Sequence, residues 1–305
     1  MKKDPGDLLD RDIIQQLSRR SDYKGLVQLG AHLGILILTG IALAQAWNTF
    51  LMLPALLAYA LVLTFLFAPL HESIHYTAFK SRWLNNVVAA CIGLVLLLPY
   101  QYFRSFHYGH HRHTQDRERD PELIGKKPYT RRLLLLHISG LPLWWSNMRA
   151  IYRHAMGNVD EPYLEQRNHQ KIISEARWHL FAYLAILIFS VLASNAWFWW
   201  YWILPALIGQ PFLRLFLLAE HNGCDFSDNM LQNSRTTYTV PLVNFLAWNM
   251  PYHAEHHYLA SIPFHALPAL HAWTGQRVKY KGAGYWQVNR DISAQVGLTI
   301  PVPDR

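Results

Sequence analysis

Nine histidines fall into four clusters, each beside a long apolar stretch: His71 and His75 in HESIH, His107, His110 and His111 in FHYGHH, His221 in AEHNGCD, and His253, His256 and His257 in HAEHH. On a helix, residues three and four apart share one face, so each cluster can aim its imidazoles at one point. Neutral imidazole is the commonest protein ligand for metals and suits iron, zinc, copper and nickel. A single zinc takes about four ligands, and nine exceed what any one first-row ion can use. The count therefore predicts two metals, bound almost wholly by nitrogen, against a membrane.

The remaining histidines are different. His32, His137, His154, His169, His179, His265 and His271 are scattered and read as satisfied structural side chains. His113 lies two residues past His111, off the shared face, and is expected to support a ligand or lie at the surface. A liganding imidazole usually gives its other N–H to a carboxylate or carbonyl, and Glu72, Asp120, Asp225 and Glu255 stand near enough in sequence to accept it. Glu72 and His75 also spell Glu-x-x-His, the pattern of carboxylate-bridged di-iron bundles. That class needs a second such pair, and the chain has none.

The elements that must carry these histidines are apolar. Hydrophobic residues make up 51% of the 305 and concentrate in runs long enough to cross a bilayer, which takes about 20 residues. The runs are Leu26 to Trp47, Phe50 to Leu70, Trp178 to Ser194 and Trp197 to Ala219. The links at 47–50 and 195–196 are so short that each pair of runs must form a hairpin. Neither link holds Lys or Arg, whereas 27 of the 28 basic residues lie in the other connecting segments, including Lys2, Lys3, Lys126, Lys127 and Arg305. Only Arg214 sits inside a span; an intramembrane charge is a functional candidate, here for a substrate cavity, the alternative being a side chain that snorkels to the cytoplasmic surface. By the positive-inside rule the basic side is cytoplasmic, which puts both termini and all four clusters there.

The expected fold is thus an all-α integral membrane protein of two transmembrane hairpins with a cytoplasmic helical cap carrying the histidines. Residues 1–25 form a cytoplasmic N-terminal segment, 26–275 the membrane domain and 276–305 a cytoplasmic tail. Shorter apolar stretches at Asn86 to Pro99, Leu133 to Trp145 and Val240 to Met250 are expected to lie at the membrane surface. The net charge of +8 is accounted for by topology and anionic lipid, leaving no role for nucleic acid. Two cysteines, Cys91 and Cys224, give no disulfide framework.

An H-x-x-x-H at the end of a hairpin, an H-x-x-H-H some 30 residues on and an H-x-x-H-H near the C-terminus resemble the membrane fatty acid desaturase and hydroxylase superfamily. The likeness covers roughly residues 30 to 275, and FHYGHHRHTQDRERDPEL resembles bacterial members. It implies two irons, held by His71, His75, His107, His110, His111, His253, His256 and His257, with His221 matching an extra histidine that follows the last span in several members. It further implies O₂ as co-substrate, a lipid or fatty acyl substrate, and a bacterial inner membrane as the location. Breaking an unactivated methylene C–H bond is beyond any side chain and belongs to the metals, while the protein orients substrate and excludes water. The chain contains neither a His-Pro-Gly-Gly motif nor enough cysteine for an iron–sulfur cluster. Electrons are therefore expected from a separate ferredoxin or cytochrome b5-like donor with its reductase. The leading expectation is a cis-desaturase of acyl chains. A membrane hydroxylase or carotenoid ketolase could use the same ligands, and a metal-binding or transport protein is the alternative from another class, disfavoured because the ligands sit at span ends rather than at the midplane.

Overall fold

A computed structural model describes residues 9–124 and 130–296. Lys2, Lys3, Lys126, Lys127 and Arg305, counted above for topology, lie outside the described residues. The chain is mostly helical. It opens with α1 (Arg11–Leu17), α2 (Asp22–Gln45), α3 (Met52–Thr64), α4 (Phe67–Ile74), α5 (Arg82–Val95), α6 (Tyr100–His113) and α7 (Pro121–Ile124). The second half runs α8 (Arg131–Ile138), α9 (Leu141–Ala155), α10 (His169–Leu192), α11 (Leu204–His221), α12 (Met230–Asn233), α13 (Pro241–Leu246), α14 (His253–Tyr258), α15 (Leu267–Thr274) and α16 (Tyr285–Gln295).

Among the described residues, four helical stretches are long and apolar enough to cross a membrane: Asp22–Gln45, Met52–Ile74, Gln166–Leu192 and Trp199–His221. The second and fourth extend past the expected ends at Leu70 and Ala219, so His71 and His221 are still helical. In the second span the ladder breaks between α3 and α4, because Pro69 lacks an N–H and its ring crowds the carbonyl of Phe65. The spans are unequal. About half of the second and fourth is buried (50% and 44%), against 11% and 17% for the first and third. The second and fourth form an inner pair, and the outer two leave Ile37, Leu38, Phe181, Phe189 and Leu192 exposed, an apolar belt suited to lipid.

The inner pair meets closely. A Cβ on Gly209 of α11 would lie 1.7 Å from Thr64 Oγ1 and 2.6 Å from the Ala60 carbonyl, so only glycine lets α11 settle on α3. As a result α11 leans on α3, while α10 packs against α9 and α6 rather than mainly on its own hairpin partner. The two short links lie at one end of the bundle: the rings of Trp47 and Trp200 meet edge to face at 4.8 Å, and Tyr59 OH donates to the Tyr201 carbonyl at 2.9 Å.

Helices α5 and α6 are apolar enough together to make a span, yet they meet at 102°. The elbow has a cause in sequence. Leu97 adopts a left-handed φ of 53°, Leu98 N–H folds back to the Gly93 carbonyl at 2.8 Å, and Pro99 starts the next helix. Since His75 before the elbow and His107 after it meet in one cluster, the pair leaves and returns to the same end of the bundle. The Leu133 to Trp145 stretch is likewise split into α8 and α9 by Gly140, whose φ is 72°. Val240 to Met250 is a short helix, α13, followed by turns.

The fold is not purely helical. Strands β1 (Arg235–Thr237) and β2 (Tyr280–Gly282) pair in parallel, with Thr236 opposite Lys281. Strands of three residues are too short to show a period of two in sequence.

Reporter fusions after Asn48 and Asn195 are expected on one side of the membrane, and a fusion after Asn158 on the other. A shared side for Asn48 and Asn158 would mean that the elbow crosses the bilayer, and would overturn this arrangement.

Candidate metal centre

The helix ends deliver the histidines. His71 lies on α4 and His75 at its C-cap, after which Tyr76 turns the chain away with a φ of 60°. α6 supplies His107, His110 and His111, and α14 supplies His253, His256 and His257, in both cases spaced i, i+3, i+4. His221 ends α11. Its exposed carbonyls are gathered by others: Gln115 Nε2 donates to the His221 carbonyl at 2.7 Å, and Arg235 of β1 donates to the Ala219 and Asn222 carbonyls.

The nine imidazoles sort into two groups. Ligand nitrogens of His71, His75, His107, His111 and His256 all lie within 4.8 Å of one another, and so do those of His110, His221 and His257. His253 joins the second group, its Nε2 2.9 Å from His221 Nε2. The groups adjoin through the stacked rings of His111 and His257, 4.0 Å apart. All nine are buried except His111, which is partly so.

The hydrogen bonds fix which nitrogens face inward. His221 Nδ1 lies 3.1 Å from the Asn233 carbonyl, which can only accept, so the proton is on Nδ1 and Nε2 presents a lone pair. His110 Nδ1 donates to Asp120 Oδ1 at 2.9 Å, and Asp120 is held in turn by the Gln115 and Glu122 amides. Thr114 Oγ1 spends its hydrogen on the His110 carbonyl, so His257 Nδ1 donates to it at 3.2 Å. His110 Nε2 and His221 Nε2 thus approach to 3.1 Å with lone pair facing lone pair. Without a cation between them that contact is repulsive. His75 Nε2 and His257 Nε2 are buried with no hydrogen-bond partner. Burial, followed by the neighbouring imidazoles, holds His253, His256 and His257 well below the ordinary histidine range, in the neutral form that ligates. Donor type, number and direction all suit a pair of first-row metal ions.

The four carboxylates named from sequence fare differently. Asp120 sits on His110 as expected. Glu72 is fully buried, but its Oε1 is 4.0 Å from His71 Nδ1, and its Oε2 instead accepts from Thr77 and from the Phe264 amide, tying the loop after His75 to the one after α14. Glu255 accepts from Thr236 and from His271, both at 2.5 Å, rather than from a liganding imidazole. His271 is therefore an anchor of the α14 cluster and no bystander. Asp225 points outward to Lys279 and Tyr280, at 2.5 and 2.7 Å. Sequence proximity misled here because the chain turns at Gly223, φ 77°, directly after α11.

Sequence reasoning missed Thr114, Asn233 and Glu220. Glu220 is buried with its Oε1 3.3 Å from His253 Nδ1, and its place beside His221 was the available signal. Thr114 and the Asn233 carbonyl had none. Four of the scattered histidines are hydrogen-bonded as expected: His32 bonds the Val62 carbonyl, His154 bonds Glu161, His169 the Leu164 carbonyl and His179 Tyr183, whereas His265 Nε2 is buried without a hydrogen-bond partner. His113 is half-buried at the end of α6, outside both groups. Arg214 lies on α11 two turns before His221, with its Nε buried and lacking a hydrogen-bond partner. A groove of about 650 Å³ lies between α5, α6 and α10, and none of the nine clustered histidines lines it.

Apolar spans that end in two buried groups of convergent imidazoles define a class of protein built to hold metal ions at the ends of membrane-length helices. The chain belongs to the fatty acid desaturase family, whose sequence pattern matches residues 21–289. Its relatives include the sn-1 oleoyl-lipid 12-desaturase of Synechocystis, 26% identical over 329 aligned positions that cover 97% of this chain and 90% of that protein. The sn-1 oleoyl-lipid 12-desaturase of Picosynechococcus is 23% identical, over 96% of this chain and 88% of its own. The chain is accordingly an oxidoreductase with histidine clusters able to hold a metal centre.

Asp120→Asn places an amide N–H₂ against backbone donors and weakens the hold on His110. It is expected to lower metal affinity by about 10- to 100-fold, whereas Asp225→Asn leaves metal content unchanged. Elemental analysis of the two purified variants checks the contrast; equal metal content in both would remove Asp120 from the site.

Proposed function

We propose that this protein is a membrane acyl-lipid desaturase that introduces a cis double bond with O₂ at a histidine-bound pair of irons. The observation that carries the reading is the two adjoining imidazole groups at the ends of apolar helices, in a chain of the fatty acid desaturase family. Its ligands are His71, His75, His107, His111 and His256 for one iron and His110, His221, His253 and His257 for the other. When bound, the irons supply the activation of O₂ that no side chain can provide. Zinc or a transport role would not explain why the relatives are oxidative enzymes.

The reaction balances as one saturated CH₂–CH₂ unit, O₂, two electrons and two protons giving one cis CH=CH unit and two waters. The residues of the chain have four tasks in it. The imidazoles hold the irons, and Asp120, Thr114, Asn233 and Glu220 orient them. Burial of the centre excludes water. The inner spans bring an apolar chain to the histidine end from within the bilayer. Arg214, a charge inside the fourth span, serves at the entrance to the substrate cavity. A lipid-linked acyl substrate is favoured over acyl-CoA or acyl-carrier forms by the names of the relatives, which act on oleoyl lipid. Residues 26–275 form the catalytic unit, as two hairpins with the histidine end on the cytoplasmic face of a bacterial inner membrane. A separate ferredoxin or cytochrome b5-like protein, with its reductase, delivers the electrons.

Expression in a host without desaturases is expected to yield new cis-unsaturated chains in membrane lipids, read by gas chromatography with mass spectrometry, and His107→Ala or His256→Ala to abolish them. Hydroxylated lipids or oxidised carotenoids with unchanged acyl chains would transfer the protein to the hydroxylase or ketolase class. Arg214→Leu is expected to change turnover or chain preference while iron content holds.

A further inference from the structure

We propose that Glu175 is a positioning residue for the metal centre: from the outer helix α10 it fixes the start of α6, and so the placement of His107, His110 and His111. The inference rests on the reading of these histidines as metal ligands, though not on the reaction they serve.

The first amides of a helix have no partner within it. α6 begins after Pro99, which has no side-chain oxygen to offer, and no side-chain cap is made there. Glu175, about 75 residues further along the chain, fills the gap with both oxygens. Oε1 accepts the Tyr100 N–H at 2.9 Å and Oε2 the Gln101 N–H at 2.8 Å. An acidic group at a helix N-terminus also suits the helix dipole.

The other side of the elbow is held from the same helix. Tyr183 OH donates to the Leu94 carbonyl at 2.9 Å, near the end of α5, and His179 Nδ1 lies 3.1 Å from that hydroxyl. Residues 175, 179 and 183 are spaced i, i+4, i+8, one stripe on one face. Trp202 adds its indole N–H to the Val95 carbonyl at 2.6 Å. The facing helix ends of the 102° bend are thus both satisfied by groups from the second pair of spans. α6 contributes to both imidazole groups, so a change at its first turn is carried along a rigid helix to both. His107 is two turns from Tyr100.

The test uses the full chain in lipid nanodiscs, comparing wild type with Glu175→Ala and Glu175→Gln. Hydrogen exchange is followed across residues 100–113, and iron content and Mössbauer spectra are recorded. Loss of two hydrogen bonds to a carboxyl group is expected to speed exchange of the Tyr100 and Gln101 amides by about tenfold or more. The change should spread to His107–His111, with exchange elsewhere in α10 unaltered. Glu175→Gln, which keeps one acceptor, should fall between, and the spectra of both variants should shift from wild type. Faster exchange confined to residues 100 and 101, with an unchanged spectrum, would reduce Glu175 to a local cap and overturn the proposal. If Glu175→Ala fails to fold, the Gln variant decides by the same criteria. If wild type carries no iron, the metal reading fails, while spread or confinement of exchange along α6 still decides whether Glu175 positions the histidines.

Discussion

Neutral imidazoles brought together with their lone pairs facing one another repel, and this chain gathers nine of them in one place, eight of them buried. That arrangement can persist only if the helices that carry the rings are fixed and several of the rings are held from behind. Much of the local architecture answers this demand. Asp120, Thr114 and the Asn233 carbonyl each take an outward N–H, which settles the tautomer and turns the other nitrogen inward. Arg235 and Gln115 gather the carbonyls at the end of α11, and Glu72 ties two of the ligand-bearing loops to each other.

The demand reaches into the membrane. The inner spans approach at Gly209 closely enough that their ends place His71 and His221 on adjoining groups. The outer spans give up burial to lipid, but α10 also reaches the elbow between α5 and α6 and satisfies the helix ends there. Bilayer-facing and site-facing duties are thus divided between helices in one case and between the faces of a single helix in the other.

Much of this could be read from sequence. The spans were legible because length and apolarity dominate any segment in a bilayer, and the clusters because i, i+3, i+4 spacing is a property of the helix itself. The ends of spans were less so: the helix carrying His71 continues past Leu70 since Glu72 and His71 are buried by other parts of the chain, which hydropathy does not see. Carboxylates were the weak point. Asp120 was recognisable, but Asp225 and Glu255 turn to Lys279 and His271, partners set by tertiary contacts more than 15 residues away in sequence. Backbone carbonyls such as that of Asn233 carry no sequence signal at all. Strands β1 and β2 are too short to announce themselves, and the lean of α10 away from α11 depends on packing that no periodicity records.

The two imidazole groups are not equivalents. In the group of His110, His221 and His257, outward nitrogens are engaged by a carboxylate, a carbonyl and a hydroxyl, and His253 has Glu220 close behind it. In the five-histidine group His71 Nδ1 and His256 Nδ1 are buried without a hydrogen-bond partner, as His253 Nδ1 alone is in the other. A carboxylate or carbonyl behind an imidazole makes it a stronger electron donor. Any two ions seated here would therefore experience different ligand fields, the one richer in ligands and the other in donor strength, so that the pair is polarised by the protein before substrate or oxidant arrives.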